Sequence, residues 1–258
     1  VPVTGGGGPG ADLIDKAWLD TSVPALSKER RELRLGWRTQ GLNLTSVAIS
    51  DPGSEGERTN VGTSVYDAFN LVEIRPVTPA TDPLIVNDRV TKVELYTGAA
   101  GDPWQDITAA ACANGCDGRF GGYTLSAEEQ QSALGVRITF TERTAGAGVG
   151  SSYEHRPLNL VFELRDKPRS NPSGWVLGNL HSTHTYNTGE PGWVNNTVSA
   201  RGVNAATGVD VTSRANDEIQ IIGDDHLTEP LGNTVECQDL FGHAFVGWRS
   251  PPIGISGR

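Results

Sequence analysis

The chain of 258 residues carries 31 acidic and 21 basic side chains, which gives a formal net charge of −10. An acidic surface repels phosphate groups, so we expect neither a nucleic-acid-binding protein nor a polybasic patch for phospholipid headgroups. The sequence contains no apolar run of membrane-spanning length, so membrane insertion is not expected. The 32 glycines and 15 prolines suit a fold with many turns.

The first half of the chain has the pattern of β-strands. Residues 1–11 are rich in Gly and Pro and are predicted to be a linker, and Asp12 to Val23 is predicted to contain the first strand. Apolar and polar residues then alternate in short runs, which indicates strands with one buried face. The clearest of these runs are Leu33 to Leu44, Phe69 to Ile74, Val90 to Tyr96 and Val136 to Phe140.

Two cysteines lie close together in the loop after the Val90 to Tyr96 strand. Cys112 and Cys116 flank Ala-Asn-Gly, and a turn at Asn-Gly lets the two arms of the loop approach each other. The spacing predicts a local disulfide and therefore an oxidising, extracytoplasmic setting. Two free thiols are the alternative, and a zinc site would need two more ligands nearby. Cys237 has no evident partner in the sequence.

A helical signal follows the cysteine loop. Ser126 and Glu129 have the spacing of a capping box, in which each side chain bonds to the other residue's backbone N–H. We expect a turn or two of helix there, ending at Gly135.

Residues 146–156 are the predicted boundary between two β domains, because Gly, Ala and Ser dominate this stretch. The first domain is residues 12–145, and the second is a smaller Ig-like β domain at residues 157–222. Few residues are available for an independent second core, so the two segments could instead share one. The expected fold class is all-β, with one or two antiparallel β-sandwiches of jelly-roll or Ig-like type and one short helical turn. Residues 223–258 are expected to form an extended tail that docks on the body or on a neighbour.

Several stretches of this chain occur in a familiar order. They are Lys16 to Asp20, Val23-Pro24, Leu33 to Leu35, Ser46 to Pro52, Phe69 to Leu71, Val90 to Tyr96, Trp104 and Gly135 to Phe140. Together they resemble the repeat unit of large secreted surface proteins of actinobacteria. A later stretch, Asn196 to Ala200, is similar to the terminal strand of Ig-like repeat domains in bacterial cell-wall proteins. The resemblance covers about residues 14–222 and implies a stalk or adhesin module without defined catalytic residues.

Candidate metal ligands are few. Asp102, Asp106 and Asp117 lie in loops near the central hairpin and could supply oxygen ligands to calcium, although their spacing matches neither an EF-hand loop nor a glycine-rich calcium repeat. Solvated acidic turns are the alternative, as they are for the later acids Asp217, Glu218, Asp224 and Asp225. The pair His181 and His184 would point to opposite faces of a strand, so surface histidines are the simpler interpretation. We expect no cofactor, with calcium as the alternative.

A lysine–asparagine isopeptide crosslink, of the kind found in pilin-like stalk domains, is a further option. It requires a buried lysine, an Asn or Asp acceptor and a nearby acid. The chain has only four lysines, of which Lys16 and Lys92 lie in predicted strands. Lys92 is expected to be exposed beside Glu94. The scarcity of lysines makes solvated or simply paired lysines the simpler expectation.

The sequence therefore predicts a secreted or cell-surface structural or adhesive module without catalytic residues. Its partners are expected to be proteins, including copies of itself through strand addition. A carbohydrate-binding module is the alternative, since exposed aromatic rings stack on sugars, and a glycoside hydrolase is a third option that no motif supports. Trp37 is expected in the core. The candidate binding residues are Trp193, which follows a Glu-Pro-Gly turn, and the tail residues Phe241, Phe245 and Trp248.

Overall fold

The computed structural model describes residues 12–180 and 185–223, together with two short strands further on. The chain divides into two compact units, Val1–Asp224 and Asp225–Arg258. In the second unit, Cys237–Gln238 pairs antiparallel with Ala244–Phe245. The predicted behaviour of the tail, including the roles of Phe241 and Trp248, lies outside the described residues.

One face of the first unit is a five-stranded antiparallel sheet. Its strand order is β1-β3-β10-β5-β8. The strands are β1 (Ile14–Trp18), β3 (Arg30–Trp37), β5 (Phe69–Ile74), β8 (Tyr123–Thr124) and β10 (Arg156–Leu164).

The opposing face is a seven-stranded sheet. Its order is β2-β12-β11-β4-β9-β6-β7, and all neighbours are antiparallel except β2 and β12, which run parallel. The strands are β2 (Ser22–Pro24), β4 (Leu44–Asp51), β6 (Asp88–Tyr96), β7 (Trp104–Asp106), β9 (Gly135–Glu142), β11 (Trp193–Asn204) and β12 (Asp210–Ile222).

The core lies between the two sheets, because alternate residues of each strand point inward. Trp37 of β3 stacks on Phe140 of β9 at 4.9 Å between ring centroids and so joins the two sheets. Trp18 and Phe162 of the five-stranded sheet make an edge-to-face pair at 5.5 Å. The expected all-β sandwich is therefore confirmed, and Trp37 is buried, as expected.

The two predicted β segments contribute to the same pair of sheets. β10 lies between β3 and β5, and β11 lies between β4 and β12. Strands on either side of residues 146–156 thus share one core, which is the single-sandwich alternative. The predicted first strand, Asp12 to Val23, is also divided: β1 and β2 belong to different sheets and are separated by a turn at Asp20.

Short helices occupy the connections. The capping box at Ser126 is present, with both reciprocal hydrogen bonds, at the start of α3. The structure has more helical turns than the one expected, because polar loops between strands close as single turns. The α-helices are α1 (Glu55–Thr59), α2 (Thr108–Ala111) and α3 (Ala127–Ser132), and the 3-10 helices are Val61–Thr63, Val65–Asp67 and Pro83–Asn87. None of the helices in the described ranges is long and apolar enough to cross a bilayer.

Candidate functional site: a buried lysine, aspartate and asparagine

Lys16 lies inside the sandwich. β1 alternates so that Ile14, Lys16 and Trp18 are all buried, and the Lys16 side chain has no exposed surface. Lysine is among the residues least often fully buried, since transferring an unpaired ammonium from water to an apolar interior is very unfavourable. A lysine in this position must therefore either pair with a group of opposite charge or have its own amine in the neutral form.

Asp51 supplies that partner from the opposing sheet. It is the last residue of β4, on the inward side with Val47 and Ile49, and its side chain is fully buried. Its Oδ2 atom lies 2.7 Å from Lys16 Nζ. The strand alternation that buries the apolar residues of β4 therefore also aims a carboxyl group at the lysine.

Asn196 completes the group from β11. It is buried between the inward-pointing residues Val194 and Val198. Its Nδ2 donates to Asp51 Oδ2 at 3.1 Å, the same oxygen that receives Lys16 Nζ. Lys16 Nζ also donates to the backbone carbonyl of Thr197 at 2.9 Å. The amine and the carboxamide thus converge on one carboxyl oxygen.

Burial shifts both titrating groups of this site toward their neutral forms. Desolvation lowers the pKa of Lys16, although the nearby Asp51 opposes the shift. Desolvation likewise raises the pKa of Asp51, against the influence of Lys16 and of the Asn196 hydrogen bond. Burial therefore works toward a neutral amine beside a protonated carboxyl, against the attraction between the two charged forms.

Two buried oxygens of the site have no hydrogen-bond partner among the described residues: Asp51 Oδ1 and Asn196 Oδ1. Buried polar atoms are normally paired, so such atoms call for an explanation. The oxygen and nitrogen of an asparagine amide can exchange places by a flip of the group. After that flip, a protonated Asp51 would donate to the carbonyl oxygen of Asn196 and polarise it.

This arrangement can perform one chemical step. The lone pair of a neutral Lys16 Nζ attacks Asn196 Cγ, while Asp51 gives its proton to the developing oxyanion. Asp51 then takes a proton from Nζ and passes it to Nδ2. The Cγ–Nδ2 bond breaks and ammonia leaves. As the carbonyl reforms, its oxygen returns the first proton to Asp51. An amine and an amide have become a new amide and ammonia, without any oxidant or added reactant.

A second buried charged group in the described part of the chain lacks this capability. Arg156 donates to Asp82 Oδ2 at 2.9 Å and also pairs with Asp88, and its guanidinium lies 3.9 Å from the centre of the Trp37 ring. A guanidinium stays protonated and is no nucleophile at ordinary pH. This group is a buried ion-pair network that links β10 to the first residue of β6 and to the segment before it.

The outer face of the seven-stranded sheet carries a shallow polar groove of about 310 Å³. Its floor is formed by small residues of the central strands, and basic side chains stand on both rims. Lys92 and Arg137 pair with the buried Glu94 at 2.6 Å each. The groove is lined by Ala48, Ser50, Lys92, Glu94, Arg137, Thr139, Ser199 and Arg201.

The residues proposed from the sequence do not gather into one site. Cys112 and Cys116 form a disulfide, as predicted. Trp193 is the first residue of β11 and is half-buried. The side chains of Phe241, Phe245 and Trp248 and the pair His181 and His184 lie outside the described residues.

The three calcium candidates each have different partners. Asp117 pairs with Arg89 and Arg143, whereas Asp102 and Asp106 accept backbone N–H groups within their own turns. Over residues 12–180 and 185–223, no three His, Cys, Asp or Glu side chains are grouped as metal ligands.

Only one of the three central residues, Lys16, is a crosslink candidate from the sequence alone. Asp51 and Asn196 lie in stretches that carry the resemblance, but the sequence assigns neither of them a role in the crosslink. A signal was present: each of the three lies two residues from inward apolar neighbours in an alternating strand. Polar residues at three inward positions predict polar side chains in the core. Alternation does not show, however, which strands lie opposite each other and so whether these side chains are in contact.

No protein-family model matches this sequence, and no curated protein matches it by sequence. The full-length major pilin SpaD from Corynebacterium diphtheriae has a similar arrangement, with 13% identity, a TM-score of 0.31, and coverage of 80% of this chain and 34% of SpaD. This chain therefore spans about a third of that pilin.

Two further solved structures are similar. A 35 kDa C-terminal fragment of the major pilin GBS80 from Streptococcus agalactiae has 10% identity and a TM-score of 0.33, covering 81% of this chain and 55% of the fragment. A chain of a type I cohesin–dockerin complex from Clostridium thermocellum has 7% identity and a TM-score of 0.36, covering 84% of this chain and 100% of that one. With such low identities and TM-scores, these likenesses assign no function to this chain.

Proposed function

We propose that this chain is a structural module of a secreted or surface-displayed protein and that an amide bond between Lys16 and Asn196 joins its two sheets. The observation that carries the proposal is the convergence of Lys16 Nζ and Asn196 Nδ2 on Asp51 Oδ2 inside a fully buried site. Such a bond forms once per molecule and turns over no substrate. It therefore agrees with the expectation of a non-enzymatic module.

The position of the proposed bond suits a module that must resist mechanical tension. β1 lies at the edge of the five-stranded sheet, and β11 lies in the interior of the seven-stranded sheet. An amide between them would tie the two layers together through covalent bonds, where otherwise only packing and hydrogen bonds hold them. The Cys112–Cys116 disulfide supports the same setting, because disulfides persist in oxidising, extracytoplasmic compartments.

Association with copies of itself is part of the proposal, although the four outermost strands of the two large sheets offer little room for it. Three of the four edge strands, β2, β7 and β8, have three residues or fewer. On the fourth, β1, the backbone N–H of Trp18 already donates to the Asp217 carboxylate at 2.8 Å. Short and occupied edges are the usual protection against added strands. β2, however, covers only Gln220–Ile222 of β12, so residues 210–219 of β12 pair with β11 on one side alone and offer an edge for strand addition.

Intact-mass spectrometry tests the crosslink directly. We expect the purified protein to weigh about 17 Da less than its sequence mass corrected for the disulfide, because the reaction releases one ammonia. Proteolysis should yield one branched peptide that joins the Lys16 and Asn196 segments. The variants K16M and N196A should not show this loss of about 17 Da, whereas K92M, which removes an exposed lysine, should still show it. An unmodified mass for the intact wild-type protein would refute the proposal.

A second candidate function is the binding of an acidic glycan in the groove of the seven-stranded sheet. The floor hydroxyls of Ser50, Thr139 and Ser199 could hydrogen-bond to sugar hydroxyls, and cationic side chains stand on both rims. The three cations Lys92, Arg137 and Arg201 outnumber the two carboxylates with which they pair, Glu94 and Asp210. This excess of positive charge favours an anionic ligand by charge complementarity. This is the carbohydrate-binding alternative with a different set of residues from the aromatic ones proposed from the sequence.

Titration calorimetry with polygalacturonate as the anionic probe and dextran as the neutral one tests this candidate. We expect binding of polygalacturonate alone, weakened about tenfold or more by R201E, which reverses a rim charge. The matched control is R34E, which changes an exposed arginine on the other sheet. Equal binding by R201E and R34E, or no binding by the wild-type protein, would remove the groove as a glycan site.

A further inference from the structure

The helix α1 lies next to the buried lysine site and is tied to it by side chains. The chain leaves β4 at Asp51, turns through Pro52 and Gly53, and enters α1 with Ser54 as its N-cap. Glu57, in the first turn of α1, points back toward β11. Its carboxylate accepts from the hydroxyls of Ser54, at 2.6 Å, and of Thr197.

Thr197 lies at the centre of this connection. Its hydroxyl donates to Glu57 Oε2 and accepts from the backbone N–H of Gly53 at 2.9 Å. The approach at Gly53 is so close that an added Cβ would lie 2.6 Å from the carbonyl carbon of Val198. The segment after Asp51 is thus fixed directly against the segment that carries Asn196.

The same residue also contacts the reacting amine. The Thr197 carbonyl accepts a hydrogen bond from Lys16 Nζ at 2.9 Å, and Thr197 follows Asn196 directly in β11. Side chains alternate along a strand, so Asn196 faces the buried site while the Thr197 hydroxyl faces α1. Fixing that hydroxyl therefore fixes the carbonyl that holds the amine and the carboxamide that the amine attacks.

We infer that Thr197, held by Glu57, is a positioning residue for the crosslink and sets the rate at which Lys16 reacts with Asn196. This inference rests on the proposed crosslink. The physical reason is that an intramolecular reaction is fast only when the reacting atoms are held near the attack geometry. Neither Thr197 nor Glu57 transfers a proton to the reacting atoms or forms a covalent bond with them.

The carboxylate of Glu57 also has an electrostatic influence. After burial as the main cause, its negative charge is one of the smaller effects that raise the pKa of Asp51. The same charge raises the pKa of Lys16, which opposes the neutral amine. The substitution E57Q separates the two roles, because glutamine keeps an acceptor oxygen for Thr197 but carries no charge. E57A removes both the acceptor and the charge.

The test follows crosslinking over time. Full-length protein is made by cell-free synthesis at neutral pH, stopped in acid at intervals, and the fraction about 17 Da lighter is measured. We expect T197V and E57A to react at least about tenfold more slowly than the wild type, and T197S, which keeps the hydroxyl, to react at the wild-type rate. E57Q should lie closer to the wild type than E57A does. T212V on the neighbouring strand β12 is the matched control.

The outcomes separate this inference from the proposed crosslink. If the wild type loses no mass, the crosslink itself is refuted. If the wild type reacts and both T197V and E57A keep its rate, the crosslink stands and the positioning role is refuted. If T197V lacks the β-sheet circular dichroism spectrum of the wild type, its rate is set aside and the two Glu57 variants test the inference. If E57A and E57Q both react at the wild-type rate, the positioning role is refuted.

Discussion

Replacing Asn196 with alanine is expected to lower the melting temperature of this protein by roughly 10–20 °C. The amide bond would close a loop that runs from β1 to β11, and closing so long a loop restricts the unfolded chain by roughly 5 kcal/mol. N196A leaves Lys16 beside Asp51 and removes only a hydrogen bond and the acceptor carbon. The decrease in melting temperature should therefore come mainly from the missing amide bond.

Differential scanning calorimetry of N196A against the wild type measures this difference. The exposed control K92M should melt close to the wild type, because Lys92 is itself half exposed and Arg137 still pairs with the buried Glu94 after the substitution. K16M, which replaces the lysine with an uncharged side chain of similar length, should lose the bridge as well. A melting temperature of N196A within about 2 °C of the wild type would contradict a stabilising bridge.

The bridge would also change how the sandwich carries tension. Residues 17–195 would lie inside one covalent loop, since β1 is the first and β11 the last but one strand of the first unit. Force applied at the two ends of this unit would pass through β1, the new amide and the β11–β12 hairpin. Most of the sheet hydrogen bonds lie outside that path, which suits a module that must stay folded under load.

The sequence was sufficient to predict the layers of this fold. Alternating residues identified most strands, the spacing of Ser126 and Glu129 identified α3, and the spacing of Cys112 and Cys116 identified the disulfide. These features depend on residues close together in the chain, where the geometry of a strand or turn fixes which side chains meet.

The candidate site could not be predicted in the same way. Lys16, Asp51 and Asn196 come from three strands in two sheets, and only the strand order brings them together. Alternation shows that each points inward but not which other strand it faces. The same limit explains Glu94, which was grouped with Lys92 as a solvent-facing residue. It is buried because Arg137 of the neighbouring strand β9 covers it together with Lys92.

Replacing Asp51 with alanine is expected to have a larger effect than the loss of the bridge alone. D51A removes the acid that activates the carboxamide, so the protein should not show the loss of ammonia. It also leaves Lys16 buried without its carboxyl partner, and removing one member of a buried pair costs about 3–5 kcal/mol. Urea unfolding should therefore show D51A to be less stable than N196A, which keeps the pair.

The stability of D51A should also depend on pH. Burial lowers the pKa of Lys16 below its ordinary value of 10.5, and removing Asp51 takes away the main influence that opposes the shift. Between the lowered folded pKa and 10.5, the unfolded state binds more protons than the folded state. The free energy of unfolding must therefore increase as the pH rises through that window.

The double variant K16M/D51A separates the buried lysine from every other effect of the substitution. Without an amine to protonate, it should be more stable than D51A at neutral pH, and the rise in its stability over the lysine window should disappear. The two variants share the same missing carboxyl and the same missing bridge, so any difference between them comes from the lysine. If both have the same stability at neutral pH and the same pH profile, Lys16 is solvated in the folded protein, and the buried site proposed to form the crosslink does not exist in solution.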